Sequence, residues 1–581
     1  MRRILTILTV LSAMILPSSP SAKDRTVEMK LIHTTDVHGN FFPEDYINRR
    51  PGSGSLARVA TLVDSLRSAL GRENILLLDA GDILQGQPTV YYYNFVDTVS
   101  PHIAAEIYNF LDYDAITIGN HDVETGHAVY DRFNAQLREP LLAANVIRRS
   151  TGEPYFTPYK IIERGGVKFA VLGLLTPAIP AWLPENIWSG MEFEDMETSA
   201  RKWIPIIQER EHPDVVIGLF HSGNDASRHT GEWIENASTQ VAKNVPGLDI
   251  VLTGHDHTRY NRVVKGPDGN GVVVMNPANN ADAVSLVEMT FEIGSDGKVK
   301  SKHFSGNIVN VDSLQPSTNF MTRFAPQMKA VETFVSRPIG RSEGDFTTRD
   351  SYFGNSAFVD LIHDLQLSLT GADISFAAPL SFDAVIGEGT IHVSDMFNLY
   401  KYENLLYTME MTGQEIKDYL EESYSIWTRQ MAPGDEHILL FESETPSPTN
   451  NKLKNAAYNF DSASGIDYTV DVTKPKGEKI TVLQMSDGRP FDLCSKYKVA
   501  VNSYRGNGGG DLLTKGAGVP HEDLPARVLT STDRDMRYYL MEAIEKRGVI
   551  TPRPGHNWRF VPEALATPAI ENDRKILFPN K

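Results

Sequence analysis

Five times in the first 260 residues a short apolar run stops abruptly at glycine, asparagine, aspartate or histidine, and this recurrence constrains the fold more than any other feature of the chain. The clearest case is Ile75-Leu76-Leu77-Leu78, which runs into Asp79-Ala80-Gly81-Asp82-Ile83-Leu84-Gln85-Gly86. A short apolar run halted by glycine reads as a buried strand that delivers a carboxylate to the edge of a sheet. The other four runs lead into Asp36-Val37-His38-Gly39-Asn40, Gly119-Asn120-His121-Asp122, His221-Ser222-Gly223 and Gly254-His255-Asp256-His257.

Helical patterns separate these strands. Leu56, Val59, Leu62, Val63 and Leu66 recur at helical spacing across residues 55–69, and a second helix is expected over 102–111. Further strands are expected at 169–174, 272–277 and 284–289. Strand alternating with helix implies right-handed crossovers and a parallel sheet core. Ligands of such sheets gather at the carboxyl ends of the strands, where all five polar motifs fall.

The motifs supply seven candidate metal ligands: Asp36, His38, Asp82, Asn120, His221, His255 and His257. Asp36 and His38, two apart, are expected on the same side of an extended segment. Mixed imidazole and carboxylate ligands suit Zn, Mn, Co or Fe better than Ca or Mg. Seven ligands are too many for one such ion and fit two ions that share a bridging carboxylate, a role expected of Asp82. Two ions about 3.5–4 Å apart can clamp a phosphoryl oxygen. His121 follows a ligand and is expected to point elsewhere, as a proton or hydrogen-bond donor to the reacting group. Such a histidine needs an orienting acid; Glu124 is the best placed and Asp122 its rival.

Length and charge bound the alternatives. A chain of 581 residues is expected to hold two or three domains. A net charge of −18 excludes a nucleic-acid polymer as the main partner, while a small phosphorylated substrate stays compatible. Arg2-Arg3, an apolar stretch and a small-residue tail read as a secretory signal over residues 1–22, too short for a comfortable membrane span. The single cysteine, Cys494, forms no intramolecular disulfide. A periplasmic or secreted protein with no membrane span after signal removal is therefore expected. Oligomeric state is not legible.

Taken together, the five motifs resemble the calcineurin-like metallophosphoesterases, and more closely the periplasmic 5′-nucleotidase family. The resemblance implies a four-layer α/β/β/α domain followed by a linker helix and an α+β nucleotide-binding domain. The expected boundaries are 23–315, 316–336 and 337–560, with 561–581 a C-terminal tail; the segment from Thr551 on is Pro-rich and expected to wrap the surface. It implies one metal ion on Asp36, His38, Asp82 and His257, and the other on Asp82, Asn120, His221 and His255. It also implies a catalytic dyad at His121, with Glu124 where the family has Asp.

In the second half, Asn502-Ser503-Tyr504-Arg505-Gly506 and Tyr458-Asn459-Phe460-Asp461 resemble the two sides of the family's nucleoside pocket. The base is expected between Tyr504 and either Tyr458 or Phe460, with Asp511 on the ribose or a base edge; base–aromatic stacking is worth about 1–3 kcal/mol. These stretches, with Leu399-Tyr400-Lys401-Tyr402-Glu403-Asn404, resemble the 2′,3′-cyclic-nucleotide 2′-phosphodiesterase/3′-nucleotidase branch. Pro379-Leu380-Ser381-Phe382 stands where 5′-nucleotidases carry an arginine-bearing block. The expectation is a two-metal hydrolase of extracytoplasmic nucleotides, acting on 2′,3′-cyclic nucleotides and 3′-nucleotides. The alternatives are a 5′-nucleotidase or UDP-sugar hydrolase and, from another class, a non-catalytic nucleotide-binding or surface-interaction protein.

Overall fold

A computed structural model describes residues 24–227, 229–230 and 232–579. The expected signal segment, residues 1–22, lies outside the described residues.

In chain order the first part comprises β1 (Arg25–Thr34), α1 (Leu56–Leu70), β2 (Ile75–Asp79), α2 (Ile103–Leu111), β3 (Ala115–Thr117), α3 (Asn120–Glu124), β4 (Leu141–Leu142), β5 (Tyr159–Arg164) and β6 (Val167–Leu175). It continues with α4 (Met196–Glu211), β7 (Val215–His221), α5 (Ser238–Asn244), β8 (Ile250–Thr253), β9 (Tyr260–Lys265), β10 (Gly271–Asn276), β11 (Ala283–Ile293) and β12 (Val299–Asn310). Local chemistry sets the ends: the Ser55 side chain caps α1 by accepting from the Arg58 N–H, and all five residues of β2 are buried.

The parallel sheet expected from the alternation is in fact two mixed six-stranded sheets, ordered β12-β11-β1-β2-β3-β4 and β9-β10-β8-β7-β6-β5. In the first, β1 to β4 are parallel, β11 runs antiparallel to β1, and β12 antiparallel to β11. In the second, β6, β7, β8 and β10 are parallel and the antiparallel β5 and β9 form the edges. The physical reason is two-sided burial. Leu31, Leu76 and Leu78 of one sheet meet Val171, Ile217, Leu219 and Leu252 of the other. The outer faces are covered by α1 and α2 on one side and by α4 and α5 on the other. This is the α/β/β/α architecture, and it brings strand ends of both sheets to one rim.

The helix α6 (Thr318–Val335), capped by Ser317, follows β12 and buries Phe320, Phe324, Val331 and Val335. Beyond it come α7 (Ala357–Thr370), β13 (Ile374–Ala377), β14 (Leu406–Thr412), α8 (Gly413–Trp427), β15 (Ser462–Ser464), β16 (Lys496–Asn502), β17 (Val528–Ser531), α9 (Met536–Arg547) and α10 (Glu563–Leu577). A mixed sheet ordered β15-β13-β16-β14-β17 has α8 against one face and α7 and α9 against the other. The segment 561–581 is not a surface tail: α10 places Ala566, Ala569 and Leu577 in the core beside α8, and Phe578 just beyond it joins them. Its apolar residues recur at helical spacing, and Pro568, inside the helix, forgoes the backbone bond to the Ala564 carbonyl.

The two parts touch. Tyr91 of the first lies among Phe334 of α6 and Phe397 of the second, with ring centroids 6.3 and 5.3 Å away.

Candidate active site

The seven candidate ligands collect at the carboxyl ends of β1, β2, β3, β7 and β8, four from one sheet and three from the other. Five of them occupy the left-handed backbone region: Asp36 (φ 49°), His38 (φ 50°), Asp82 (φ 59°), His255 (φ 74°) and His257 (φ 52°). Each such non-glycine residue costs on the order of 1 kcal/mol and persists only where surrounding structure enforces it. The expectation of an extended Asp36–His38 segment is thereby corrected. The backbone turns at both residues, because Asp36 N and His38 N are tied to the carbonyls of Gly81 and Asp82 at 2.8 and 2.9 Å.

Asp122 builds the loop after β2. Its buried carboxylate accepts the N–H groups of Asp82 (3.0 Å), Ile83 (2.7 Å), Leu84 (2.8 Å) and Gly119 (2.8 Å). Burial and then the charge of Asp82 push its carboxyl up to about 6 against those bonds. Asp122 is therefore not the partner of His121. Gly119 packs so closely on this loop that a Cβ there would collide with Asp82 Oδ1.

The ligating atoms converge. His38 Nδ1 donates to the Gln85 carbonyl at 3.0 Å and His221 Nδ1 to the Ala80 carbonyl at 2.7 Å, which leaves the Nε2 lone pair of each ring facing the centre. His38 Nε2 stands 3.1 Å from His257 Nε2 and 4.0 Å from Asp82 Oδ2. His221 Nε2 lies 3.2 Å from Asp82 Oδ2 and 3.0 Å from Asn120 Oδ1. His257 Nε2 is 3.2 Å from Asp36 Oδ1, and His255 Nδ1 is 2.8 Å from Asn120 Oδ1. Two sets of atoms lie close enough to share an ion: Asp36, His38 and His257, and Asp36, Asp82 and His221. Asp82 Oδ2 is buried and has no hydrogen-bond partner. Crowded, buried acceptor atoms of this kind are stable only with cations among them, so the residues fit divalent metal ions. Burial alone would raise the Asp82 carboxyl; the imidazoles of His221 and His121 hold it well below the usual range.

His121 stands beside this cluster, its ring edge-on to that of His38 at 5.5 Å. Its Nδ1 is 2.6 Å from Glu124 Oε2, and its backbone N–H donates to Asp82 Oδ1 at 2.8 Å. Burial opposes its charge, but Asp82 and Glu124 outweigh burial and raise it to about 9. The acid that sequence reading missed is Glu235, whose Oε1 lies 2.9 Å from His255 Nε2 and orients that ring. No periodicity marks Glu235; it follows the irregular segment after His221 and arrives only through folding.

In the second domain the structure separates the expected pocket residues. Tyr458 and Tyr504 are partly exposed, and Tyr402 stands edge-on to Tyr458 at 6.3 Å. Asn507, three residues past Tyr504, donates to the Trp182 carbonyl at 3.3 Å, and the Trp182 ring lies 5.6 Å from that of His255, so the loop that carries Tyr504 adjoins the candidate ligands across the domain boundary. Phe460 does not belong with them. It is buried and stacks on Trp427 at 5.3 Å and 5°, inside the core. The local backbone explains this, since Tyr458 and Phe460 are separated by a turn that sends one ring outward and the other inward. Asp511 sits at φ 62° and pairs with Lys515 at 2.5 Å. Arg505, buried, joins both loops: it donates to the Tyr458 carbonyl (2.6 Å), the Gly509 carbonyl (2.9 Å) and Asp461 (2.9 Å).

Residues 29–259 match the model of the calcineurin-like phosphoesterases, and residues 338–515 that of the 5′-nucleotidase C-terminal domain. The chain belongs to the calcineurin-like phosphoesterases that carry a 5′-nucleotidase C-terminal domain. Among curated relatives, the trifunctional nucleotide phosphoesterase protein YfkN of Bacillus subtilis (strain 168) is 27% identical over 95% of this chain. This chain spans only 40% of that relative's length. The 2′,3′-cyclic-nucleotide 2′-phosphodiesterase/3′-nucleotidase of Yersinia enterocolitica is 24% identical over 95% of this chain and 91% of its own length. A crystal structure of the 5′-nucleotidase precursor from Thermus thermophilus shares the fold, with a TM-score of 0.61, 22% identity, and coverage of 92% of this chain and 100% of that one.

Proposed function

We propose that the protein is a two-metal hydrolase that opens 2′,3′-cyclic nucleotides and then dephosphorylates the resulting 3′-nucleotides. The observation that carries this reading is the convergence of the candidate ligating atoms beside the loop of Tyr504, with Tyr458 on the neighbouring loop that Arg505 ties to it. Asp36, His38, Asp82 and His257 would hold one divalent ion, and Asp82, Asn120, His221 and His255 the other, with Zn, Mn, Co or Fe matching the ligands. Bound ions supply Lewis acidity at the phosphoryl oxygens and lower the pKa of water.

The chain's own residues do the rest. Tyr458 and Tyr504 stack on the base and fix the sugar. Asp511, in the same Gly-rich stretch as Tyr504, would meet the ribose or a base edge. Glu124 holds the Nδ1–H of His121, so that Nε2 can give its proton to the departing ribose oxygen. In the first step the bond from phosphorus to O2′ breaks, water supplies the new oxygen, and the proton lands on O2′. In the second the bond to O3′ breaks, which yields nucleoside and phosphate.

The choice of branch is supported by the stretch 379–382. Leu380 is buried there, Phe382 is half exposed, and the stretch itself offers no guanidinium where a 5′-nucleotide would need one. The basic, apolar start of the sequence supports an extracytoplasmic location. Among the described residues no helix is long and apolar enough to cross a membrane.

The deciding experiment compares turnover of 2′,3′-cyclic AMP, 3′-AMP, 5′-AMP and UDP-glucose by the metal-loaded protein. Preference for the first two is expected. Preference for 5′-AMP or UDP-glucose would transfer the assignment to the other branch, and no hydrolysis of any of them would overturn the enzymatic reading.

A further inference from the structure

A cavity of about 1280 Å³ opens where the two domains and α6 meet. Glu124 and Tyr92 contribute to it from the first domain, Phe334 from α6, and Glu403, Arg534 and Tyr538 from the second. None of the seven candidate ligands, and neither Tyr458 nor Tyr504, is part of its wall. It borders the active site through Glu124 and through Ser503, the residue before Tyr504.

Glu403 is the anomaly in that wall. It is 8% exposed, and neither of its carboxylate oxygens has a hydrogen-bond partner. The facing cation, Arg537 Nη1, is 3.6 Å away and equally without a hydrogen bond. Arg537 is committed elsewhere: its Nε and Nη2 donate to the carbonyls of Tyr400 and Lys401 at 3.2 and 2.9 Å, and its guanidinium lies 4.1 Å over the ring of Phe397. Burial pushes the Glu403 carboxyl up to about 8 against the charge of Arg537, with Asp535 and Glu124 adding to the rise, so at neutral pH the group ionises only when a further cation meets it.

The wall is mildly acidic. Lys329 and Arg337 are paired with Glu332 and Glu545, Glu124 with His121, and Glu403 faces Arg537, which leaves Arg534 against Asp533 and Asp535. A buried carboxylate with unfilled acceptors is expensive unless a cation or donor meets it. A bare metal ion does not suit the space. Oxygen ligands for such an ion must converge to about 2–2.6 Å, and Glu403 belongs to no convergent ligand group among the described residues. The cavity is of the size that takes a small molecule, and the rings of Tyr92 and Phe334 line it, aromatic groups of the kind that attract organic cations, while Tyr538 already carries Arg534 over its ring at 5.6 Å.

We propose that this cavity binds an organic cation, an ammonium-type group carried on a flat apolar body, with Glu403 as its ionic anchor. The occupant touches both domains and α6, so it favours the arrangement in which the loop of Tyr504 adjoins the candidate ligands. This site goes beyond the proposed hydrolysis and is measured without turnover.

The test is calorimetric titration of the metal-loaded full-length protein with benzyltrimethylammonium, and with benzyl alcohol as the uncharged comparator. The cation is expected to bind at least about tenfold more tightly than the alcohol, and Glu403→Gln to remove most of that preference. Tyr92→Ala, at a partly exposed wall position, is expected to weaken the cation several-fold without disturbing the fold. Equal binding of the two probes, no binding of the cation, or wild-type affinity in a natively melting Glu403→Gln would each overturn the proposal. If Glu403→Gln does not fold, wild-type affinity in Tyr92→Ala overturns it instead. Loss of cation binding in Tyr504→Ala but not in Tyr92→Ala would place the probe in the active site and also overturn it.

Discussion

His121 Nδ1 stands 2.6 Å from Glu124 Oε2, and the same histidine donates its backbone N–H to Asp82 Oδ1 at 2.8 Å. Glu124 is three residues on in α3, so one helical turn brings the longer acid onto the imidazole with no change of backbone. Glu124→Gln keeps the volume but removes the charge that stabilises the imidazolium. Turnover of 3′-AMP is expected to fall by about 100-fold, the lower end of what lost general-acid assistance costs. Elemental analysis should find unchanged metal content. Loss of metal would mean that Glu124 acts on a ligand and not on a proton donor.

Asp82→Asn preserves shape and leaves an oxygen to accept the His121 N–H, but removes the charge from a fully buried position between His221 and His38. Turnover should be abolished, with metal content reduced and thermal melting of the apo-protein close to wild type. Chelation of the wild type should give the same loss, restored by added divalent ions. Wild-type turnover in Asp82→Asn would remove Asp82 from the centre.

Arg505 connects the two tyrosine-bearing loops and pairs with Asp461 at 2.9 Å inside the core. Arg505→Leu leaves Asp461 buried and unpaired, which typically costs about 3–5 kcal/mol. Arg505→Lys keeps the charge but loses the fork that reaches Tyr458, Gly509 and Asp461 together. The lysine variant should fold, lose stability to urea, and raise the KM for 3′-AMP more than it lowers kcat. An unchanged KM would confine Arg505 to the fold.

His363 reports on pH far from the metals. Its ring is buried between Ser375 and Ser462, at 2.8 and 3.3 Å. Burial, partly offset by Asp461, lowers it to about 4, below its unfolded value near 6.5. Between those values the unfolded chain binds a proton that the folded chain refuses, so stability rises with pH. The contribution is complete above about pH 6.5 and lost as pH falls toward 4; it amounts to about 3 kcal/mol. Urea midpoints across this window should show the slope, and His363→Gln should flatten it. An unchanged slope would assign the acid lability to other groups.

Much of the site is legible because its chemistry is local. An apolar run that ends in Gly-Asp or Gly-Asn-His is a strand delivering a polar side chain, whatever lies around it. The same holds for α1 with Ser55 as its cap. Where the local pattern is ambiguous, sequence alone misleads. Phe460 and Tyr458 differ by one turn, and only packing against Trp427 sends Phe460 inward. Pro-rich flanks make the last segment look like a tail, yet α10 and Phe578 at its end carry four apolar side chains into the core.

Asp82 shows the division most plainly. That it closes a buried strand with a carboxylate follows from residues 75–82 alone, since hydrophobic burial and glycine stops act over a few residues. That its oxygen meets His221 requires pairing two sheets whose strands lie well over a hundred residues apart in the chain. The tasks of Asp122, Glu235 and Arg505, and the unpartnered Glu403 at the domain boundary, likewise come from contacts between distant segments. Such contacts leave no periodicity in the chain, because they depend on where whole layers pack and not on neighbouring residues.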